Sequence, residues 1–164
     1  MSAQDNAVVI GLGEMKVSTE ADGVLVCLGL GSCVALCYHV PVAKVGAMAH
    51  IVLPGSEGRA PGSPGKFADT AVPALIEAVT AAGAIKSRLS VRMVGGAQMT
   101  MASEASAIFS IGPANVEATK QALRSVGLRV RAEDTGGSAG RTVRLAAGSG
   151  EVVVDTSISS TRNL

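Results

Sequence analysis

Aromatic side chains are nearly absent from this 164-residue chain, which has no Trp, one Tyr and two Phe. Charge is sparse as well, with 14 Lys and Arg set against 13 Asp and Glu for a formal net charge of +1. Nucleic-acid binding draws on basic patches and, for single strands, on aromatic stacking platforms, so this composition argues against a nucleic-acid partner. With 48% hydrophobic residues the chain still has apolar surface enough to offset its ordering entropy, so disorder is excluded. Burial must come from Val, Leu, Ile and Ala at about 25 cal/mol per Å², and small side chains predict backbones that pack closely. This length predicts one domain over 1–164, with an ordered core from about 8 to 155 and polar tails at both ends.

Export through a secretory leader is not expected, because Met1–Asn6 has no Lys or Arg ahead of an apolar run. The three cysteines, Cys27, Cys33 and Cys37, are odd in number and crowded together, which does not describe a disulfide framework. A reducing, cytoplasmic location is expected. The span from Gly23 to Ala43 carries no charged residue and has the length of a membrane crossing, yet Pro41, His39 and the glycine-rich Gly29–Ser32 interrupt it. Buried strands without membrane insertion are the expectation.

Val- and Leu-rich stretches from Ala7 to Gly13 and from Val17 to Leu28 read as strands, with a turn at Asp22-Gly23. Val34–Tyr38 and Val45–Leu53 read as an antiparallel hairpin joined through His39–Lys44, and Gly55–Lys66 reads as a long surface loop. Helical spacing appears at Phe67–Ala82, with Pro73 kinking the helix or sitting in its first turn, and at Asn115–Val126, with Asn115 as the cap. Further strands are predicted at Arg88–Val94, Leu128–Glu133, Thr142–Leu145 and Glu151–Asp155, and a frayed tail from Thr156. The sum is an α+β fold with a mixed or antiparallel, sandwich-like β core flanked by helices.

Chemistry concentrates around Cys33, which follows Gly29-Leu30-Gly31-Ser32. Glycines let the chain turn tightly there, and the backbone N–H groups at Gly31 and Ser32 are candidate oxyanion donors. A thiol needs a base near neutral pH, and pairing Tyr38 with Val45 places His50 directly opposite Cys33. The alternative is that Cys33 is a small buried hydrophobe and His50 a satisfied core histidine. A zinc site is disfavoured, since Cys33 and Cys37 on one strand would stand about 13 Å apart at 3.3 Å per residue. His39 is expected in the turn, solvated, and Cys37 in the core. No metal and no cofactor is expected.

The string Leu28-Gly29-Leu30-Gly31-Ser32-Cys33-Val34, followed by Ala49-His50-Ile51-Val52-Leu53-Pro54, resembles the CheD family of chemoreceptor glutamine deamidases. Gly95-Gly96-Ala97, Ile111-Gly112 ahead of Asn115, and Asp134-x-Gly136-Gly137 leading to Gly140-Arg141 continue the match, roughly from Val8 to Asp155. The resemblance implies the cysteine hydrolase fold of deamidating toxins and a Cys-His-Thr catalytic set. Cys33 and His50 match its first two members, and Cys27 stands where the family has threonine. It further implies deamidation of receptor glutamines through a thioester, the cytoplasmic region of methyl-accepting chemoreceptors as substrate, and a CheC-type phosphatase as partner. An adaptor that retains these surfaces with little activity is the alternative function.

Overall fold

Ten strands form two five-stranded sheets in a computed structural model that describes residues 7–60, 62–98, 110–157 and 160–164. The strands are β1 (Ala7–Val9), β2 (Met15–Ser18), β3 (Val24–Leu30), β4 (Val34–Val40), β5 (Val45–Ile51), β6 (Ser90–Gly95), β7 (Ala132–Thr135), β8 (Arg141–Ala146), β9 (Val152–Thr156) and β10 (Thr161–Asn163). The first sheet has the order β1-β3-β8-β9-β10 and the second β2-β5-β4-β6-β7. Each is mixed, because β1 runs parallel to β3 and β7 parallel to β6. Helices α1 (Ala68–Ala81) and α2 (Ile111–Ser125) complete the α+β architecture that the pattern predicts.

Strand β4 shows why this composition builds three layers. All seven of its residues are buried, and their alternation sends Ala35 and Cys37 toward the first sheet while Leu36 and Tyr38 pack with Val72, Leu75 and Leu123 of the helices. A strand covered on both faces reads as a continuous apolar run, and this explains the uncharged stretch that has the length of a membrane span. No helix among the described residues is long and apolar enough to cross a membrane. Small residues allow the sheets to approach: a Cβ on Gly46 would lie 2.9 Å from the Ala147 Cα.

Several expectations change. The β4–β5 turn is the four residues from Pro41 to Lys44, so Val40 pairs with Val45 and Ala35, not Cys33, lies opposite His50. His39 is not in a solvated turn. It is 3% exposed within β4, and its Nε2 lies 2.8 Å from the Ala147 carbonyl, a contact that can satisfy a buried ring. Burial holds its pKa below the ordinary value. Helix α2 begins at Ile111, which puts Asn115 inside the helix rather than at its cap, and Pro73 lies past the first turn of α1. The C-terminal tail pairs as β10 against β9, with the Leu164 N–H donating to the Val152 carbonyl. The Gly55–Lys66 loop is tied down at its ends: Ser56 donates from N and Oγ to Asp69, and Gly65 N–H donates to the Gly13 carbonyl.

Candidate active site

Strands β3 and β4 are consecutive in sequence but belong to different sheets, so Gly31-Ser32-Cys33 is the crossing between them. The crossing begins with a bulge. Cys27 pairs with Val143 but Leu30 with Arg141, and the extra residue is absorbed around Gly29, whose φ of 58° favours glycine and whose N–H donates to Thr142 Oγ1. Three successive carbonyls then hold the crossing in place. Gly31 O accepts from Ala97 N–H at 2.9 Å, Ser32 O from Asn115 Nδ2 at 2.9 Å, and Cys33 O from Gly96 N–H at 2.8 Å.

The Gly95–Ala97 segment that supplies two of those donors is itself braced. Gly95 O accepts from Gly136 N–H at 3.1 Å, and Gln98 N–H donates to Gly137 O at 2.9 Å. Behind them Arg141 Nε makes an ion pair with Asp134 Oδ1 at 3.1 Å, with side chains only 7% and 12% exposed. Gly95 has a φ of 114°, and a Cβ there would collide with the Cys33 carbonyl oxygen. The glycine pair thus does more than end a strand: it is the platform under the Cys33 turn.

His50 is fixed from the other side. Its backbone N–H donates to Glu14 O at 2.9 Å, and its carbonyl accepts from Gly13 N–H at 2.9 Å. These bonds tie β5 to the turn that follows Ile10. The Ile10 carbonyl lies 2.9 Å from His50 Nδ1, and since a carbonyl can only accept, Nδ1 carries a proton, so that in the neutral ring the lone pair is on Nε2. The ring is 6% exposed, held in the tautomer a general base requires.

The register separates the two side chains by a diagonal rather than a direct pairing. Ala35 opposes His50, and Cys33, which immediately precedes β4, packs against the same inter-sheet cluster as Ala35. A two-residue slip preserves the face that a one-residue slip would have reversed. Diagonal neighbours have Cα atoms about 7–8 Å apart, within reach of long side chains. Among the described residues no hydrogen bond of the Cys33 thiol is seen. Cys33 is half-buried, and burial raises its pKa, so the resting species at neutral pH is the thiol.

Cys27 is fully buried between the sheets, with Sγ 3.9 Å from the same Ile10 carbonyl that orients His50. Burial drives its pKa far up, and the nearby Cys37 and Cys33 thiols push in the same direction. Cys37 is buried in the inter-sheet core beyond it, as expected. Among the described residues no group of three or more His, Cys, Asp or Glu is placed to hold a metal ion. The residues that sequence reasoning missed are Ile10, which acts through its carbonyl, and Asn115, which looked like a cap. The Gly95-Gly96-Ala97 string was a visible signal whose partner, the Cys33 crossing, was not.

Comparison with known proteins identifies the family. Residues 52–156 match the family model described as CheD chemotactic sensory transduction. A Thermotoga maritima protein named chemoreceptor glutamine deamidase CheD is 48% identical over 146 residues, covering 89% of each chain. A Symbiobacterium thermophilum protein named probable chemoreceptor glutamine deamidase CheD is 47% identical over 149 residues, 90% of each chain. A Methanococcus maripaludis relative bearing that same name is 39% identical over 145 residues, 88% of this chain and 92% of its own. The family match begins just after His50, but the relatives extend the likeness over nine-tenths of the sequence, and the chain belongs to the CheD family.

Proposed function

We propose that this chain hydrolyses glutamine side chains of chemoreceptors to glutamate, with Cys33 as nucleophile and His50 as general base. Membership of the CheD family makes it a chemotaxis deamidase, an amidohydrolase acting on protein glutamine. The observation that carries the residue assignment is the His50 Nδ1 contact to the Ile10 carbonyl, which leaves Nε2 lone-paired on the inter-sheet side, where Cys33 packs.

In the proposed reaction His50 Nε2 takes the Cys33 proton as sulfur attacks the amide carbon of the substrate. The imidazolium then protonates the departing nitrogen, ammonia leaves, and a thioester remains on Cys33. Water, deprotonated by His50, attacks the thioester to release glutamate and restore the thiol. Oxyanion donors come from the Gly31–Cys33 turn. In a planar trans peptide the N–H points opposite to the C=O, so fixing the Gly31 and Ser32 carbonyls toward Ala97 and Asn115 aims the Ser32 and Cys33 N–H groups the other way. Leu12 and Leu28, 68% and 52% exposed and within two residues of Ile10 and Cys27, supply apolar surface for a helical receptor segment. The inferred partners are the cytoplasmic region of methyl-accepting receptors and a CheC-type phosphatase, and the inferred location is the cytoplasm where they meet.

Cys27 is a packing residue in this account. The Ile10 carbonyl already holds the imidazole, so the hydroxyl that the family threonine would provide is not needed to set the tautomer. Incubated with a receptor cytoplasmic fragment, the natural chain, Cys27→Thr and Cys27→Ala should all release ammonia at rates within about threefold of one another, far less than the 10²–10⁴-fold of a lost general base. A tenfold or greater gain in Cys27→Thr would restore position 27 to the catalytic set. Absence of ammonia from all three would favour the adaptor reading.

A further inference from the structure

Asn115 sits in α2, far in sequence from either proposed catalytic residue, and it is fully buried. Its single amide nitrogen donates twice, to the Ser32 carbonyl at 2.9 Å and to the Val52 carbonyl at 2.9 Å. Ser32 directly precedes Cys33 on the inter-sheet crossing, and Val52 lies two residues after His50 just beyond the end of β5. Both acceptors are carbonyls, so the amide orientation is chemically determined: nitrogen, not oxygen, must face them. Asn115 Oδ1 is left buried with no hydrogen-bond partner among the described residues.

We infer that Asn115 is a positioning residue of the deamidase site, a clamp whose two bonds set the spacing between the Cys33-bearing turn and the His50-bearing strand. The inference rests on Cys33 and His50 being the reacting pair. The amide leaves one acceptor orphaned in a sealed interior, at a cost, while its nitrogen donates to two main-chain carbonyls that an aliphatic side chain would deprive of this donor. What the amide provides is two donors from one nitrogen, bridging the Ser32 and Val52 carbonyls at the start of β4 and the end of β5. Because Cys33 and His50 are diagonal rather than direct neighbours, the gap between them is set by the relative placement of the β4 start and the β5 end, which is the dimension this clamp spans. Misplacement by about 1 Å can cost on the order of 100-fold in rate.

The test compares the natural chain with Asn115→Leu, which keeps the branched heavy-atom shape at somewhat larger volume and removes both donors, and with Asn115→Ser, whose short hydroxyl cannot bridge the two carbonyls. Thr119→Val serves as the structural control, since it removes a buried bond from Thr119 Oγ1 to the Asn115 carbonyl without touching the clamp. Deamidation of a receptor cytoplasmic fragment gives kcat and KM, thermal unfolding gives Tm, and the pH profile of iodoacetamide labelling at Cys33 reports the thiol's surroundings independently of turnover. The expected result is a kcat at least tenfold lower in both Asn115 variants with KM little changed, and a displaced Cys33 labelling profile, while Thr119→Val loses Tm but keeps both. A folded Asn115→Leu or Asn115→Ser with natural kcat and labelling profile would overturn the clamp, as would a Thr119→Val that loses kcat in proportion to Tm alongside them. If Cys33→Ala still deamidates, the nucleophile assignment fails, and a labelling profile displaced by Asn115→Leu distinguishes that failure from failure of the clamp.

Discussion

His50→Gln should fold like the natural protein and turn over 10²–10⁴-fold more slowly. The glutamine amide can still donate to the Ile10 carbonyl, so the local structure has a replacement for the bond now made at 2.9 Å by Nδ1, but it has no lone pair basic enough to take the Cys33 proton. The proton transfer matters more here than in a cysteine enzyme whose thiolate is preformed, because burial raises the Cys33 pKa. His39→Gln is the counterpart. That ring lies at the other end of β4, in contact with the Ala147 carbonyl and packed against Gly150, so its loss should lower stability and leave kcat near the natural value. Kinetics with a receptor fragment, accompanied by thermal unfolding, separates the two. Reversed effects would assign the base to the wrong histidine.

The second large effect is on stability at alkaline pH. Cys27 and Cys37 are 0% and 2% exposed, and burial raises both thiols from an ordinary value of 9.0, Cys37 to about 12 and Cys27 further. Raised folded-state values mean that the unfolded chain releases these protons first, so above pH 9 the unfolded state binds fewer protons and stability falls as pH rises. Each group contributes a limiting slope of about 1.4 kcal/mol per pH unit, so two thiols across roughly two pH units remove about 5 kcal/mol, comparable with the whole stability of many domains. Tyr38, buried and likewise raised, adds to the loss at higher pH. Denaturant unfolding measured from pH 7 to 11 should show a stability plateau and then this decline, flattened when Cys27 and Cys37 are replaced by Ala. A flat curve in the natural protein would mean that the inter-sheet core admits solvent.

What the sequence could reveal followed from periodicity and local chemistry. The period of two placed alternate residues of β4 toward the other sheet, but the observed register sets Ala35, not Cys33, opposite His50. The shift came from His39, a polar residue that looked like part of a turn until a carbonyl from a distant loop, Ala147, was there to meet it. Asn115 misled for the same reason. Its residue type favours helix caps, and only tertiary structure brings Ser32 and Val52 to its amide. Nor could spacing disclose that β3 and β4, adjacent in sequence, lie in different sheets, or that β1 and β7 join parallel to their neighbours. Such pairings depend on long-range contacts that leave no local trace.

The central claim is that Cys33 forms the thioester. Mixing the natural protein with a receptor cytoplasmic fragment, quenching in acid during steady turnover, and sequencing the products by mass spectrometry tests it most directly. The account predicts a covalent adduct on Cys33 with the mass of a receptor glutamine segment less one ammonia, released by hydroxylamine, together with glutamate at the same receptor position after longer incubation, and neither product from Cys33→Ala. Glutamate formed by Cys33→Ala at the natural rate, or an adduct mapped to Cys27 or Cys37, would contradict it.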